Sequence, residues 1–184
     1  MNKSRPIYAP FKLDLSGRAH LIVTTELELP EVLELALADI ETWTVKTIAP
    51  GIQAPIYKST RAFRAVPELL GQLAHRLSRE TAGFRLYAIG TESFMWDVHN
   101  LARAAGMGAA EIFLSRTGPF TRRVYCTHCR TMIEDVANTI TPCPGCGAAL
   151  FVRDHFSRRL AAFMGVKVDA EAPGEIPAPE AFSS

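Results

Sequence analysis

The sequence predicts an α/β fold, a parallel sheet with flanking helices, followed by a small module built on four cysteines. Apolar runs of strand length alternate with amphipathic segments of helix length as far as about residue 116, the pattern of strands joined by helical crossovers. All four cysteines come afterwards, in two Cys-x-x-Cys pairs at 126/129 and 143/146. With 184 residues and 48% hydrophobic content, the chain has room for one ordinary domain and a small module.

The elements of the first domain follow one another along the chain. Proline at a first helical position marks helix starts at Pro30 and Pro67, and Thr91 with Ser93 can cap a third helix. The apolar runs between them are typical of buried strands, and parallel strands joined by helices predict a sheet covered on both faces. The predicted elements are an edge strand at 7–15, a strand at 19–25, a helix at 30–41, a strand at 43–48, a helix at 67–79, a strand at 84–90, a helix at 91–105 and a strand at 111–115.

The domain boundaries follow shifts in composition. We expect an α/β domain over residues 1–118, because Gly118-Pro119 breaks regular structure there. Residues 119–165 should form the cysteine module, ending in a short helix at 154–163 capped by Asp154. Residues 166–184 are an acidic tail rich in proline, glutamate and alanine, which predicts an extended or disordered segment.

The two cysteine pairs favour a bound metal. Each Cys-x-x-Cys turn directs two thiolates at one point, and two such turns predict a tetrahedral sulfur site for zinc, with a single iron as the lesser alternative. The predicted ligands are Cys126, Cys129, Cys143 and Cys146. Two disulfides are the other interpretation, but no export signal is present, so we expect a cytoplasmic protein with reduced thiols. His128 should lie at the surface, because four thiolates already complete the shell, and a His128 ligand in place of Cys129 is the minor alternative.

The charge distribution indicates which partners to expect. The net charge of +1 predicts no global attraction to nucleic acid or membrane, and no run approaches the apolar length of a membrane span. Residues 116–159 hold seven arginines and three acids, whereas residues 168–184 hold four acids and no base. Between the two cysteine pairs stand one base, Arg130, and no aromatic residue, which weighs against nucleic acid. We therefore expect protein partners.

Residues 151–164 predict where such a partner docks. Arginines at 153, 158 and 159 surround Phe156 and Phe163, and apolar anchors rimmed by arginine are typical of an interface centre. The alternative is that the two rings tie the cysteine hairpin to the α/β domain.

Residues 20–30 resemble the start of the NAD(P)-binding half of ferredoxin-reductase-type flavoproteins. In that family an apolar strand leads through a Gly-Gly-x-Gly turn into a helix that opens with Thr-Pro. Here Pro30 matches, whereas Thr24, Thr25 and Leu27 occupy the glycine positions. Side chains there crowd a phosphate, and the two carboxylates of the turn repel it. The turn predicts that the isolated chain binds NADPH weakly or not at all.

Residues 86–95 and 104–115 continue this resemblance. The first stretch is similar to the family's later strand and Cys-Gly-Pro turn, where Gly90 matches and Ile89 replaces the cysteine beside the nicotinamide. The second is similar to the ending, in which a helix stops at glycine and a last strand follows. The resemblance implies a degenerate ferredoxin-reductase-like nucleotide domain, in which the fold carries over and the cofactor site does not.

The C-terminal third is similar to the DmmA-type subunits of bacterial dimethylamine monooxygenase. The similarity lies in residues 123–129, 141–147 and above all 150–170, and the chain length and front half agree with it. It implies a multi-subunit, NADPH- and O2-dependent enzyme that N-demethylates dimethylamine, with haem, flavin and iron–sulfur centres on partner subunits. This chain would be a subunit with a structural or electron-delivery role, not expected to be catalytic alone. The alternative is a zinc-ribbon module that binds protein or nucleic acid and has no redox role.

Overall fold

The computed structural model describes residues 4–25, 40–45 and 60–182. The protein divides into two compact units, which are Tyr8–Gly118 and the combination of Met1–Ile7 with Pro119–Ser184. The helix predicted at 30–41 lies outside the described residues apart from its last two positions, and so does the strand predicted at 43–48 beyond residue 45.

Within the described residues, the first unit consists of a five-stranded sheet and two α-helices. Its elements are β1 (Ala19–Thr24), β2 (Glu41–Val45), β3 (Thr60–Phe63), α1 (Val66–Leu77), β4 (Phe84–Gly90), α2 (Glu92–Ala104), a 3-10 turn (Ala109–Glu111) and β5 (Ile112–Arg116). The strand order is β3-β2-β1-β4-β5, and every neighbouring pair is parallel. The predicted parallel α/β fold is confirmed, and this order is that of doubly wound nucleotide-binding sheets.

Both described helices pack on one face of this sheet. Alternate strand residues point to that face, and helix residues three or four apart meet them. The core there is made of buried side chains from β1, β4, α1 and α2, including Leu21, Val23, Leu86, Leu69, Leu73, Met95 and Val98. The helices therefore cover and stabilise one face of the sheet. The ends of β1 and β4 lie next to the start of α2.

The opposite face of the sheet is covered by the N-terminal segment. The side chains in contact there come from β1, β4 and that segment: Ile22, Tyr87, Ile89, Phe11 and Leu13. The N–H of Asp14 donates to the Tyr87 hydroxyl at 3.0 Å, which fixes the segment over the ring. The edge strand predicted at 7–15 is wrong. The segment contacts the sheet through its side chains, and Pro10 has no N–H to offer a ladder.

The second unit is another five-stranded sheet, and it carries the cysteines. Its strands are β6 (Arg122–Cys126), β7 (Met132–Val136), β8 (Ile140–Pro142), β9 (Ala149–Ser157) and β10 (Ala162–Lys167). Their order is β7-β6-β10-β9-β8, with β10 parallel to β6 and the remaining pairs antiparallel. One cysteine turn connects β6 to β7 and the other connects β8 to β9.

The helix predicted at 154–163, at the end of the cysteine module, is wrong. β9 continues to Ser157 and β10 begins at Ala162, so this segment forms a hairpin. Asp154 does not cap a helix, because its carboxylate accepts a hydrogen bond from Arg122 at 2.8 Å. Pairing on both sides of β9 outweighs the local helix propensity. Since β10 ends at Lys167, the boundary predicted after residue 165 falls inside a strand.

The C-terminal tail passes through turns as far as residue 174, is free of turns and bends from residue 175 to residue 182, and returns to the second sheet. Residues 180–182, which we call the strap, lie antiparallel to residues 137–139 through a bridge between Asn138 and Ala181. The N–H of Thr139 donates to the carbonyl of Glu180 at 2.8 Å. The strap thus adds a short edge to the connection between β7 and β8.

Candidate metal centre

The four cysteines of the second unit gather around one point. Their Sγ atoms all lie within 4.8 Å of one another. Cys129 lies 3.5 Å from Cys143, and Cys126 lies 3.9 Å from Cys146, measured between sulfurs. A disulfide would need about 2.05 Å, and all four are free thiols. The structure therefore brings together the residues that the sequence predicts as ligands.

These sulfur–sulfur distances suit a single tetrahedral ion. Four thiolates at about 2.3 Å from one metal form a tetrahedron with edges of about 3.8 Å. The distances of 3.5 and 3.9 Å lie on either side of that value. An iron–sulfur cluster would separate its cysteines further, because each iron holds its own thiolates. The donor set fits one zinc or one iron ion and supplies no open position for water.

The first cysteine turn is held by its own backbone. The N–H of Arg130 donates to the carbonyl of Cys126 at 2.9 Å, and the N–H of Cys126 donates to the carbonyl of Thr131 at 3.0 Å. The N–H of Thr131 donates to the sulfur of Cys129. Arg130 closes this turn with φ of +67°, a left-handed conformation that costs energy for any residue with a Cβ.

The second cysteine turn repeats the same pattern. The N–H of Gly147 donates to the carbonyl of Cys143 at 2.8 Å, and the N–H of Cys143 donates to the carbonyl of Ala148 at 2.9 Å. The N–H of Ala148 donates to the sulfur of Cys146. Gly147 takes the left-handed position with φ of +73°, which glycine adopts without strain. The two turns are therefore equivalent halves of one site.

The two turns approach closely at Gly145. A Cβ on this residue would overlap Oγ1 of Thr131 and would lie 3.2 Å from Sγ of Cys129. The Thr131 hydroxyl itself lies 3.1 Å from that sulfur, so it can donate to a thiolate there. Thr131 was not predicted from the sequence to belong to the site. Its signal was its place two residues after Cys129, which matches that of Ala148 after Cys146.

The environment shifts two of the thiols in opposite directions. Hydrogen bonds from the Thr131 hydroxyl and N–H lower the pKa of Cys129 to about 6. The N–H of Ala148 also favours the Cys146 thiolate, but desolvation and the neighbouring sulfurs outweigh it and raise the pKa of Cys146 to about 12. Four adjacent thiolates need a cation, so metal binding at this site releases protons.

Contacts with the strands of the second sheet hold the cysteine turns in place. Cys126, Cys143 and Leu150 are buried together. The N–H and hydroxyl of Thr127 both donate to the carbonyl of Gly165, at 3.0 and 3.1 Å, which ties the first turn to β10. His128 is exposed, at the position where the sequence predicts a surface residue.

A second candidate site lies at the carboxyl ends of β1 and β4. The strand order reverses between these strands, and ligands of doubly wound sheets bind at that point. Gly90 has φ of +154°, and a Cβ there would overlap Oγ1 of Thr25. That hydroxyl is buried and has no hydrogen-bond partner within the described residues. The side chain of Thr25 therefore fills the space beside Gly90. Residues 26–29 of the turn lie outside the described residues.

A buried hydrogen-bonded cluster borders the same end of the sheet. The indole N–H of Trp96 donates to the Tyr8 hydroxyl at 2.7 Å, and that hydroxyl donates to the Glu92 carboxylate at 2.7 Å. Desolvation, followed by the charge of Glu92, raises the pKa of Tyr8, so its phenol stays neutral. The cluster anchors the N-terminal segment to the start of α2.

The two phenylalanines predicted to anchor a partner are part of a core, whereas the arginines predicted to surround them, Arg153, Arg158 and Arg159, are exposed. Phe156 is 5% exposed and Phe163 is 1% exposed, and their rings pack together at 4.9 Å. The expectation that these rings are accessible interface anchors is wrong, because β9 and β10 turn them inward.

No helix within the described ranges is long and apolar enough to cross a membrane.

Comparisons with known proteins found two matching family models, a related sequence and a similar solved structure. Residues 2–112 match the N-terminal domain model, and residues 123–166 the C-terminal domain model, of the dimethylamine monooxygenase subunit DmmA-like family. The heme-dependent oxidative N-demethylase delta subunit of Ectopseudomonas mendocina (strain ymp) is 43% identical over 111 residues. That alignment covers 60% of this chain and 63% of the relative, a little under two thirds of its length. A solved structure of phthalate dioxygenase reductase covers 68% of this chain and 46% of its own, with 11% identity and a TM-score of 0.47.

Because the two family models together account for most of the sequence, the chain belongs to the dimethylamine monooxygenase subunit DmmA-like family.

Proposed function

We propose that this chain is a metal-stabilised accessory subunit of a multi-component N-demethylase that uses NADPH and O2 to demethylate dimethylamine. Membership of the DmmA-like family and the relative named as a delta subunit of a heme-dependent oxidative N-demethylase support the proposal. In this proposal haem, flavin and iron–sulfur centres reside on the partner subunits. The chain's own role is to organise the complex or to assist electron delivery within it.

The observation that carries this role is the use of every cysteine in one closed site. The sequence contains four cysteines, and all four belong to the cluster. If they hold one ion, no thiolate remains for an iron–sulfur cluster on this chain. We propose that the ion is zinc and that Cys126, Cys129, Cys143 and Cys146 hold it. When bound, zinc supplies structural cross-linking and no redox chemistry.

The crevice of the first unit supports an accessory role as well. Phosphate cradles need glycines so that the backbone can approach the ligand. Here the Thr25 side chain packs against Gly90 at that position. We propose that NADPH binds a partner subunit and that this unit serves as a scaffold with a nucleotide-domain topology.

The alternative function, binding of nucleic acid, would need an exposed basic surface. The cysteine module exposes less arginine charge than its sequence suggests. Arg122 is 4% exposed and pairs with Asp154. Arg123 has a side chain 14% exposed and pairs with Glu134 at 2.6 Å. Two arginines of the cysteine module are therefore engaged within the sheet, which lowers the charge available to a phosphate backbone.

Co-expression with the proteins encoded beside this chain tests the proposal. We expect the chain to co-purify with haem- and flavin-containing subunits, and we expect dimethylamine-dependent NADPH oxidation to fall when the chain is omitted. Cys143→Ser should reproduce that loss. Met132→Ala is the matched control, since this side chain in the same module is 38% exposed and lies outside the cysteine cluster. Full turnover by a complex that lacks the chain would contradict the proposal.

A further inference from the structure

The second unit contains a cavity that the metal centre does not use. It has a volume of about 650 Å³ and lies between the β9–β10 hairpin and the strap. Its lining is mostly apolar, and the cationic side chains of Arg5, Arg122 and Arg153 and the acidic ones of Asp154 and Glu180 complete it. We call this surface the strap groove. The residues that line it include Phe151, Arg153, His155, Met164, Val166 and Phe182.

The strap shows how an extended peptide chain pairs along one wall of the strap groove, a wall that Glu180, Ala181 and Phe182 form. Three hydrogen bonds hold it: Thr139 N–H to the Glu180 carbonyl at 2.8 Å, Phe182 N–H to the Ala137 carbonyl at 3.0 Å, and Glu180 N–H to the Thr139 hydroxyl at 3.0 Å. Main-chain pairing of this kind is the mode by which sheet edges accept extended peptides. Among the described residues of the tail, this pairing to residues 137–139 involves residues 180–182, so another extended segment can replace them at modest cost.

Arg122 provides an aromatic slot at the end of the strap. Its guanidinium is 4.2 Å from the ring centre of Phe163 on the inner side and 4.0 Å from that of Phe182 on the outer side. Asp154 fixes the guanidinium by a hydrogen bond. The inner ring is buried in the core, whereas the outer ring belongs to the strap. An aromatic side chain from another protein can therefore occupy the outer position by the same cation–π contact.

Charge indicates which segment fits. Arg153 and His155 are exposed on β9, and Arg5 also lines the groove. The chain's own tail from residue 168 onward carries four acids and no base. Of these acids Glu180 belongs to the strap and lines the groove close to Phe182, so the strap itself is an example of an acidic, aromatic segment at this site.

We infer that the strap groove is a docking site for an extended, acidic segment of a partner subunit whose aromatic side chain takes the place of Phe182. The strap is a built-in competitor for that site. The inference rests on the proposed function, because it assigns the surface by which this subunit joins its complex. The partner's main chain pairs with residues 137–139, and its acidic groups face Arg153 and Arg5.

Phe182→Ala in the full chain tests the inference, because it removes the strap's aromatic anchor and leaves Arg122, the β9–β10 wall of the groove and the pairing edge at residues 137–139 unchanged. We expect affinity for the isolated partner subunits, measured by surface-immobilised titration, to rise several-fold. Arg153→Glu should weaken association and reduce its salt dependence. Arg159→Glu is the control, since this arginine does not line the groove. Weaker association of Phe182→Ala, or a loss confined to Arg159→Glu, would overturn the inference.

A labelled peptide of residues 175–184 gives a readout without any partner. It should bind Phe182→Ala measurably more tightly than the wild-type chain in fluorescence anisotropy, and a peptide with alanine in place of its phenylalanine should bind less. If the wild-type chain forms no complex with the partner subunits but the peptide still binds Phe182→Ala, the proposed function is refuted, while the strap groove remains a binding site for an acidic, aromatic peptide. Equal, negligible peptide binding by both chains would refute the groove. Dimerisation of Phe182→Ala would make a second copy the occupant and overturn the partner assignment.

Discussion

Gly147→Ala and Arg130→Gly should change metal affinity in opposite directions. The two residues occupy the same position of the two cysteine turns, with φ of +73° and +67°. A Cβ on Gly147 would meet nothing within 4 Å, so the alanine introduces no clash. The effect of each substitution is therefore conformational.

The magnitude follows from the left-handed backbone. A residue with a Cβ pays about 1–2 kcal/mol there relative to glycine. Replacing glycine also reduces the entropy of the unfolded chain, which returns about 0.4–1 kcal/mol. Gly147→Ala should then cost about 1 kcal/mol, and Arg130→Gly should gain a similar amount or slightly less. Since folding and metal binding are coupled in such modules, 1 kcal/mol corresponds to about a five-fold change in metal affinity.

Competition for zinc against a chromophoric chelator measures this change. The full chain is titrated at fixed pH and ionic strength, because thiol protonation competes with the metal. Gly174→Ala is the matched control. It also has positive φ, at +88°, and open space for a Cβ, but it lies in the tail, outside the cysteine turns. Wild-type affinity in Gly147→Ala, or weaker binding in Arg130→Gly, would refute the equivalence of the two turns.

Three further outcomes follow. Cys143→Ser should release the metal and make the second unit sensitive to protease, whereas unchanged melting and protease resistance would make the metal incidental. Arg85 lowers the pKa of Asp14 to about 2 by a hydrogen bond, so Asp14→Asn should be less stable than wild type at pH 7, and the difference should disappear as pH falls from about 4 to about 2. Fluorescence isolates that effect, because both tryptophans, Trp43 and Trp96, lie in the first unit; a difference independent of pH would exclude the ion pair as its cause. Calorimetric titration of the isolated chain with NADPH should give a dissociation constant weaker than about 100 μM. A low-micromolar value would contradict the proposal that the Thr25 side chain beside Gly90 excludes the nucleotide.

Buried strands with continuous apolar runs were predictable from the sequence. Phe84–Gly90 was predicted with the bounds that β4 has, because apolar side chains fill both faces of a central parallel strand. β3 gave no such signal, since among its four residues only Phe63 is buried. Because β3 lies at the edge of the sheet, few of its side chains contact the core, and its sequence therefore lacks the apolar pattern of a buried strand.

The errors in the second unit come from contacts between distant residues. Arg122 and Asp154 are 32 positions apart, and no local pattern reveals that they pair and hold β9 extended. The cysteine cluster was predictable because each Cys-x-x-Cys turn fixes its geometry within four residues. The approach of Gly145 to Thr131 was not, because it depends on how one turn packs against the other.

The metal content of the purified full chain, measured together with its visible absorption spectrum, decides whether the four cysteines hold a structural zinc ion. We expect about one zinc per chain and no absorption band in the visible range, because zinc bound by four thiolates is colourless and structural. One iron per chain with a strong thiolate-to-iron band would contradict it and would make the chain an electron carrier. A metal-free chain with oxidised cysteines would contradict the metal site altogether.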